Sequence, residues 1–439
     1  MKKTVLTAIA LLLIGTTATF AQMDNLSNMS AKWVCSNTRN AATDEADIVN
    51  YNPAGLVRLV DGFHINLSNQ TMFRKPEHSF ALPNNPSKVY KFGQDGVDPF
   101  LPMFYAAYKH NKWALASGVY ISGGGATANY PDGSFNTTLL GAMYLGASTP
   151  GHYQSIVDQY LKASSFYLTV PLIFSYSLND KLSIAAGGRF IKGMNKTEAG
   201  ITLGDSEYGT VVPDYSATVK YKEDATGFGG VIGIFYQPTE KLALSVHYET
   251  GVKLDFETKD NEGTMALAAD GTKKRRDLPA TLCTGASYKA TDKLTVAADF
   301  NYFFQTAANW GKIQSPRDGK YYESSEAAGD CYTAGLGFAY DVTPKLQLNL
   351  GTKYTAFLYD DQKLYYTKMG LYEVVKYNNL NIGIGGSYKI NERFQVDLGA
   401  GRTFWNDKTI NSIAAYPTEI PVKITDKGYV IAVGLDITL

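Results

Sequence analysis

From Tyr429 to Leu439 every odd position is large and apolar (Tyr429, Ile431, Val433, Leu435, Ile437, Leu439), while the even positions are Val430, Ala432, Gly434, Asp436 and Thr438. A period of two gives an extended strand with one greasy face and one mostly small or polar face. The same alternation runs through Phe166–Leu178, Leu242–Tyr248, Leu294–Phe304, Leu346–Leu350, Leu380–Ile390 and Phe394–Leu398. Between such runs a short polar turn, a basic residue and a large apolar residue recur six times: His110-Asn111-Lys112-Trp113, Asn179-Asp180-Lys181-Leu182, Thr239-Glu240-Lys241-Leu242, Thr291-Asp292-Lys293-Leu294, Thr343-Pro344-Lys345-Leu346 and Asn391-Glu392-Arg393-Phe394. Six turns plus the two end strands predict fourteen antiparallel strands, the first at Gly62–Phe73 and the last at Gly428–Leu439. A soluble sandwich also alternates. Runs of about ten residues, an even count, short turns on one side against long loops on the other, and a chain ending on a strand predict instead an all-β, fourteen-stranded transmembrane β-barrel.

The N-terminus adds an address. Met1-Lys2-Lys3, the apolar run Val5–Ile14 and Thr19-Phe20-Ala21 read as a secretory signal peptide over residues 1–21. No other stretch approaches the ~20 apolar residues of a membrane-crossing helix, so a membrane location means crossing by strands. Tyr 31, Phe 21 and Gly 41 suit such a barrel. Lys+Arg 41 against Asp+Glu 41 leaves no net charge and argues against nucleic acid as a partner. Cys35, Cys283 and Cys331 form no Cys-x-x-Cys pair, and a Cys283–Cys331 bridge stays open. Five histidines without metal-ligand spacing, and no Gly-x-Ser-x-Gly or phosphate loop, predict no enzyme, no metal and no cofactor.

Three stretches are candidates for function. Asp44–Val57 joins a weakly patterned leader to the first strand, with a tight turn expected at Asn52-Pro53-Ala54-Gly55. Its Asp44, Glu45 and Asp47 either pair with inward-facing Arg189, Lys353 and Lys389 or stand as solvated charge in a wet lumen. Gly123-Gly124-Gly125, ending the expected third strand Lys112–Ser122, is a candidate kink in the wall or the start of a loop. The longest loop, Ala126 to Ala163, carries Leu139, Leu140, Met143 and Tyr144, then Ile156, Val157, Tyr160 and Leu161, around Pro150-Gly151. The spacing i, i+1, i+4, i+5 predicts two short helical faces, either a landing groove for a hydrophobic ligand or a lid packed for its own stability.

Thr43-Asp44-Glu45-Ala46, a spacer and Asn52-Pro53-Ala54-Gly55-Leu56 just before the first strand resemble the plug of the FadL/TodX family of outer-membrane transporters of hydrophobic compounds. Gly227-Phe228-Gly229-Gly230-Val231-Ile232-Gly233 with Tyr248-Glu249-Thr250-Gly251, and Leu278-Pro279-Ala280-Thr281 with Gly285-Ala286-Ser287-Tyr288, extend the resemblance over nearly the whole mature chain. The resemblance implies a plug, or hatch, over 22–56 inside the lumen and a barrel with long extracellular loops over 57–439. It also implies passive uptake of fatty acids or aromatic hydrocarbons by loop capture, lumen binding, plug rearrangement and lateral release through the wall. The implied partners are a small hydrophobic ligand and the lipid and lipopolysaccharide of a Gram-negative-type outer membrane around a monomer. One departure is visible: the family's helical loop follows the fifth strand, whereas here that loop, about Lys196 to Asp224, lacks a helical stripe. The alternative readings are a general porin and a loop-mediated adhesin.

Overall fold

The computed structural model describes residues 27–94, 96–147, 153–204, 214–265, 269–314, 318–358, 377–415 and 418–439. The expected signal peptide and Pro150-Gly151 lie outside them. The wall is built from β1 Gly62–Arg74, β2 Gly96–His110, β3 Trp113–Tyr130, β4 Ser155–Ser177, β5 Leu182–Gly204, β6 Tyr215–Thr239, β7 Leu242–Glu249, β8 Ala280–Lys289, β9 Leu294–Phe304, β10 Cys331–Asp341, β11 Leu346–Phe357, β12 Asn379–Lys389, β13 Phe394–Trp405 and β14 Lys427–Thr438. The hydrogen-bonded sheet has sixteen strands; Asp255–Lys259 and Lys273–Arg275 branch from the upper part of β6, which leaves fourteen in the wall. Closure is by β1 against β14, in register from His64–Thr438 to Arg74–Gly428.

Local chemistry explains the recurring turns. In five of them the side-chain oxygen of Asn179, Thr239, Thr291, Thr343 or Asn391 accepts the N–H groups two and three residues on, so the turn closes on its own first residue. The first turn differs: Asn111 takes a left-handed φ of 52° and its N–H donates to Asp61. Outside the wall, large apolar side chains stand exposed, Leu172 at 60% and Phe228 at 75%. Near the turns Tyr176, Tyr236, Tyr288, Tyr340 and Tyr388 form an exposed aromatic belt, as expected where barrel meets membrane–water boundary. A closed wall with this face outward has no second sheet to bury it, which removes the sandwich alternative.

Residues Ser27 to Leu59 lie within the wall. Ser30 accepts the Trp33 N–H and caps α1 Ala31–Ser36, and Asn37 ends it in the left-handed region. α2 Ile48–Tyr51 leads into a 3-10 turn, Pro53–Arg58, at the position where the tight turn is expected. α1 presses so closely on β11 and β12 that a Cβ on Gly351 would sit 1.7 Å from the Ser36 carbonyl oxygen, and one on Gly383 2.1 Å from that of Val34. On the opposite wall, Ser175 and Ser183 donate to the carbonyls of Pro53 and Ala54 at 2.6 and 2.7 Å.

β4, β5 and β6 run 23, 23 and 25 residues, far more than a bilayer needs, so this flank rises well above the membrane. That changes one expectation. Leu139, Leu140, Met143 and Tyr144 lie on α3 Phe135–Ala147, but Ile156, Val157, Tyr160 and Leu161 are in β4. The extended β5 offers this second set a ladder from Ser155–Gly204 to Ser165–Asn195, interrupted by a bulge at Val157, and β-branched and aromatic side chains fit it better than a helix. No disulfide joins Cys35, Cys283 or Cys331, and all three are buried.

Candidate functional site

The wall is incomplete on one flank. β2 pairs with β1 over most of its length, but with β3 only from Phe104–Val119 to His110–Trp113. Above that point Tyr120–Tyr130 of β3 is laddered to β4 alone, and Gly96–Met103 of β2 to β1 alone. Both free edges carry ladder-breaking residues. Pro99 and Pro102 supply no N–H, and Pro99-Phe100 bulge against Thr71. On β3, Gly124 has φ of +100°, and a Cβ there would lie 2.3 Å from the Ser165 carbonyl oxygen. Across Gly123-Gly124-Gly125 the pairing slips by two residues, from Ile121–Leu168 through Gly123–Tyr167 to Ala126–Ser165.

The lips of this split are greasy outside and pinned inside. Val97, Phe100, Phe104 and Val119 are exposed on the outer face. Towards the lumen, the Arg74 guanidinium spans the split, donating to Asp98 at 2.7 Å and to the Thr127 carbonyl at 2.6 Å. A cleft of about 350 Å³ lies between Val97 of β2, Thr127 and Asn129 of β3, Lys162 and Ser164 of β4 and Lys196 of β5. Behind the glycine bulge, Tyr167, Ile191, Val252, Leu254 and Phe256 form a buried apolar cluster. Sequence reasoning missed this cluster: Val252–Phe256 lies largely outside any barrel strand and meets Tyr167 only because the chain folds back into the lumen.

The charges of the inner segment find partners other than those expected. Arg39 binds Asp44 at 2.7 Å and also holds Asp47, while Glu45 faces Lys32 at 3.3 Å and accepts from Gln395 at 2.8 Å. Of the expected partners, Arg189 is taken by Glu249, Lys353 donates to Ser27 and lies over the Trp33 ring, and Lys389 is exposed at a turn. Residues close in sequence reach each other first, so the segment neutralises much of its own charge. Glu45, Asp397 and Asp436 converge within 4.8 Å, and the Lys32 ammonium, 3.7 Å from Asp397, is their resident cation. The Arg39 and Asn40 N–H groups both donate to Asp299 of β9, at 2.7 and 2.9 Å.

Over the mouth, the hairpins Glu77–Leu82/Asn85–Gly93 and Lys408–Ala415/Thr418–Thr425 join into one four-stranded sheet. With α3 they bury a second core that includes Phe80, Phe92, Tyr130, Phe135, Trp310, Ile420 and Val422. The expected ligand face divides. Leu139 and Leu161 pack on this core, Leu140 and Tyr144 pack on Ile201, Val219 and Tyr221, and Ile156 abuts Gly141. Met143 is half-buried, Tyr160 lies against Gly200, and Val157 is half-exposed at a bulge.

His78 sits in that core between Phe92 and Tyr130, and its Nε2 accepts the Phe135 N–H at 2.9 Å. Burial pushes its pKa down to about 3. A depressed folded pKa means neutral His78 supports the cap fully above pH ~6.5 and that support is lost as pH falls toward 3. At pH 4.5 the loss reaches about 3 kcal/mol, read as lower amide protection factors over 134–140 than at pH 7.5, each rate being divided by the intrinsic rate at its own pH; a His78→Phe protein shows no such change. Equal acid sensitivity in both proteins counts against this role.

A family profile described as "Outer membrane protein transport protein (OMPP1/FadL/TodX)" matches residues 159–438. Outer membrane protein P1 of Haemophilus influenzae is 22% identical over 363 residues, covering 73% of this chain and 72% of that protein. Among solved structures, a Pseudomonas aeruginosa FadL homologue superposes with a TM-score of 0.65 at 14% identity, over 94% of this chain and 99% of that one. The Pseudomonas putida toluene transporter TodX gives 0.60 at 15% identity over 91% and 96%, and the Ralstonia pickettii toluene transporter TbuX 0.57 at 16% over 95% and 99%.

Proposed function

The chain belongs to the OMPP1/FadL/TodX family of outer-membrane transport proteins, and from that premise we propose that it takes up small hydrophobic molecules, fatty acids or aromatic hydrocarbons, by passive passage and sideways release into the membrane. A transport protein of the Gram-negative outer membrane works by binding and release, not by catalysis. The observation that carries the reading is the missing ladder between Gly96–Met103 and Tyr120–Tyr130, with apolar lips outside and an apolar cluster behind it. Such a gap is useless to a polar solute, which gains nothing from entering hydrocarbon. It suits an apolar one, which would otherwise have to cross a charged lipid leaflet.

In this reading residues 22–56 act as the plug and 57–439 as the barrel with its loops. Ligand lands on the loop surface around Leu139, Leu140, Met143, Tyr144, Ile156, Val157, Tyr160 and Leu161. It then descends to the Tyr167–Phe256 cluster as the plug, including Asp44 to Gly55, shifts. It leaves past Gly123-Gly124-Gly125. The likeness to two toluene transporters supports the aromatic member of the class. The test pairs two measurements on the full chain, one on purified protein and one in cells. Planar bilayers are expected to give little ionic conductance, and cells carrying the protein to give saturable uptake of a labelled fatty acid or arene. Large porin-like conductance with no saturable uptake overturns the reading.

A further inference from the structure

We propose that the outer flank of β4, β5 and β6 holds the phosphorylated headgroup of an outer-leaflet glycolipid. The outward positions of these strands are mostly apolar from Tyr176, Ile184 and Tyr236 up to Phe166, Phe190 and Phe228, and then become mostly polar or charged. That change marks the height at which hydrocarbon gives way to headgroups. Just above it three lysines stand side by side: Lys196 lies opposite Lys222, and Lys222 opposite Lys259 of the branch strand. All three are exposed on the outer face, and Lys192 and Lys162 flank them.

Neighbouring strands are about 4.8 Å apart, and like charges placed directly opposite one another repel. Lys222 and Lys259 are partly compensated, by Asp260 at 2.7 Å and Asp224 at 3.6 Å. Lys162, Lys192 and Lys196 have no carboxylate within 4 Å among the described residues. Glu198 stands opposite Lys162, so the surplus positive charge is that of Lys192 and Lys196 beside the partly compensated Lys222 and Lys259; set at headgroup height above an apolar face, it is complementary to a phosphate with acyl chains below it. The cleft bordered by Thr127, Asn129, Lys162, Ser164, Lys196 and Glu198 opens beside the row, and its 350 Å³, with two ammonium groups against one carboxylate and with hydroxyl and amide groups for a sugar ring, suits a sugar carrying phosphate. The inference rests on how the barrel sits in the membrane and not on transport.

Full-length protein in detergent is titrated with purified bis-phosphorylated lipid A, and bound copies are counted by native mass spectrometry. The wild type is expected to retain lipid A, and the Lys196→Glu/Lys222→Glu protein to bind at least about fivefold more weakly. A Lys293→Glu/Lys345→Glu control, changed on the turns at the opposite end, is expected to bind as wild type. Heat-modifiable gel migration shows that each variant is a folded barrel. Equal affinity of the first variant and the wild type overturns the proposal. So does equal binding of lipid A stripped of its phosphates.

Discussion

A chain lacking Gly124 and Gly125 is expected to fold as the same barrel and to lose most of its hydrophobic uptake. The pairing of β3 with β4 slips by two residues across Gly123-Gly124-Gly125, so removing two residues restores one continuous register from Ile121–Leu168 to Ala126–Ser165. A regular β3 lies flat beside β2 and its ladder extends above Phe104–Val119, where it now stops. Each added ladder bond contributes about 1 kcal/mol net, and two or three of them slow exit through the wall on the order of thirty- to a hundredfold. Initial rates of labelled-arene uptake measure the effect, with heat-modifiable migration confirming the barrel. Wild-type uptake by the folded deletion protein would remove the split as the exit route.

Replacing Lys32 by methionine is expected to unseat the inner segment. The methionine fills nearly the same volume but leaves Glu45, Asp397 and Asp436 together with no ammonium among them. Breaking a buried ion pair by removing one partner costs about 3–5 kcal/mol, because the remaining charge stays buried. Since α1 is held mainly by close contact with β11, β12 and β13, that loss is large enough to free it from the wall. The expected readouts are a lower thermal midpoint and a clear rise in bilayer conductance over the wild type. Adding Glu45→Gln, which lowers the uncompensated charge, is expected to recover part of both. An unchanged midpoint and conductance in the Lys32→Met protein would show that the segment is seated by packing alone.

Much of the barrel is legible along the chain because alternation is a local signal. Five of the six turns close on their own Asn or Thr, and each run of alternating residues states which face meets lipid; the six turns and the fourteen strands stand where the pattern puts them. Strand length is less local. Ile156, Val157, Tyr160 and Leu161 satisfy a helical spacing, and only the neighbouring Ala199–Leu203 makes them a strand. The charged stretch Asp44 to Asp47 stands out in sequence, but its partners Lys32 and Arg39 lie in a segment without regular pattern and attract no notice there.

By itself, the sequence determined the closed wall, its lipid-facing side, the side on which the short turns lie, and the break at Gly123-Gly124-Gly125 as a place to examine. Only the tertiary structure decided that this break faces a β2 edge carrying Pro99 and Pro102, that Arg74 spans it, and that Tyr167 and Phe256 meet behind it. It also brought His78, Phe135, Trp310 and Val422 into one cap and aligned Lys196, Lys222 and Lys259. The physical reason is range: side-chain alternation and turn closure act over two or three residues, whereas register, wall gaps and charge rows depend on which distant strand lies alongside.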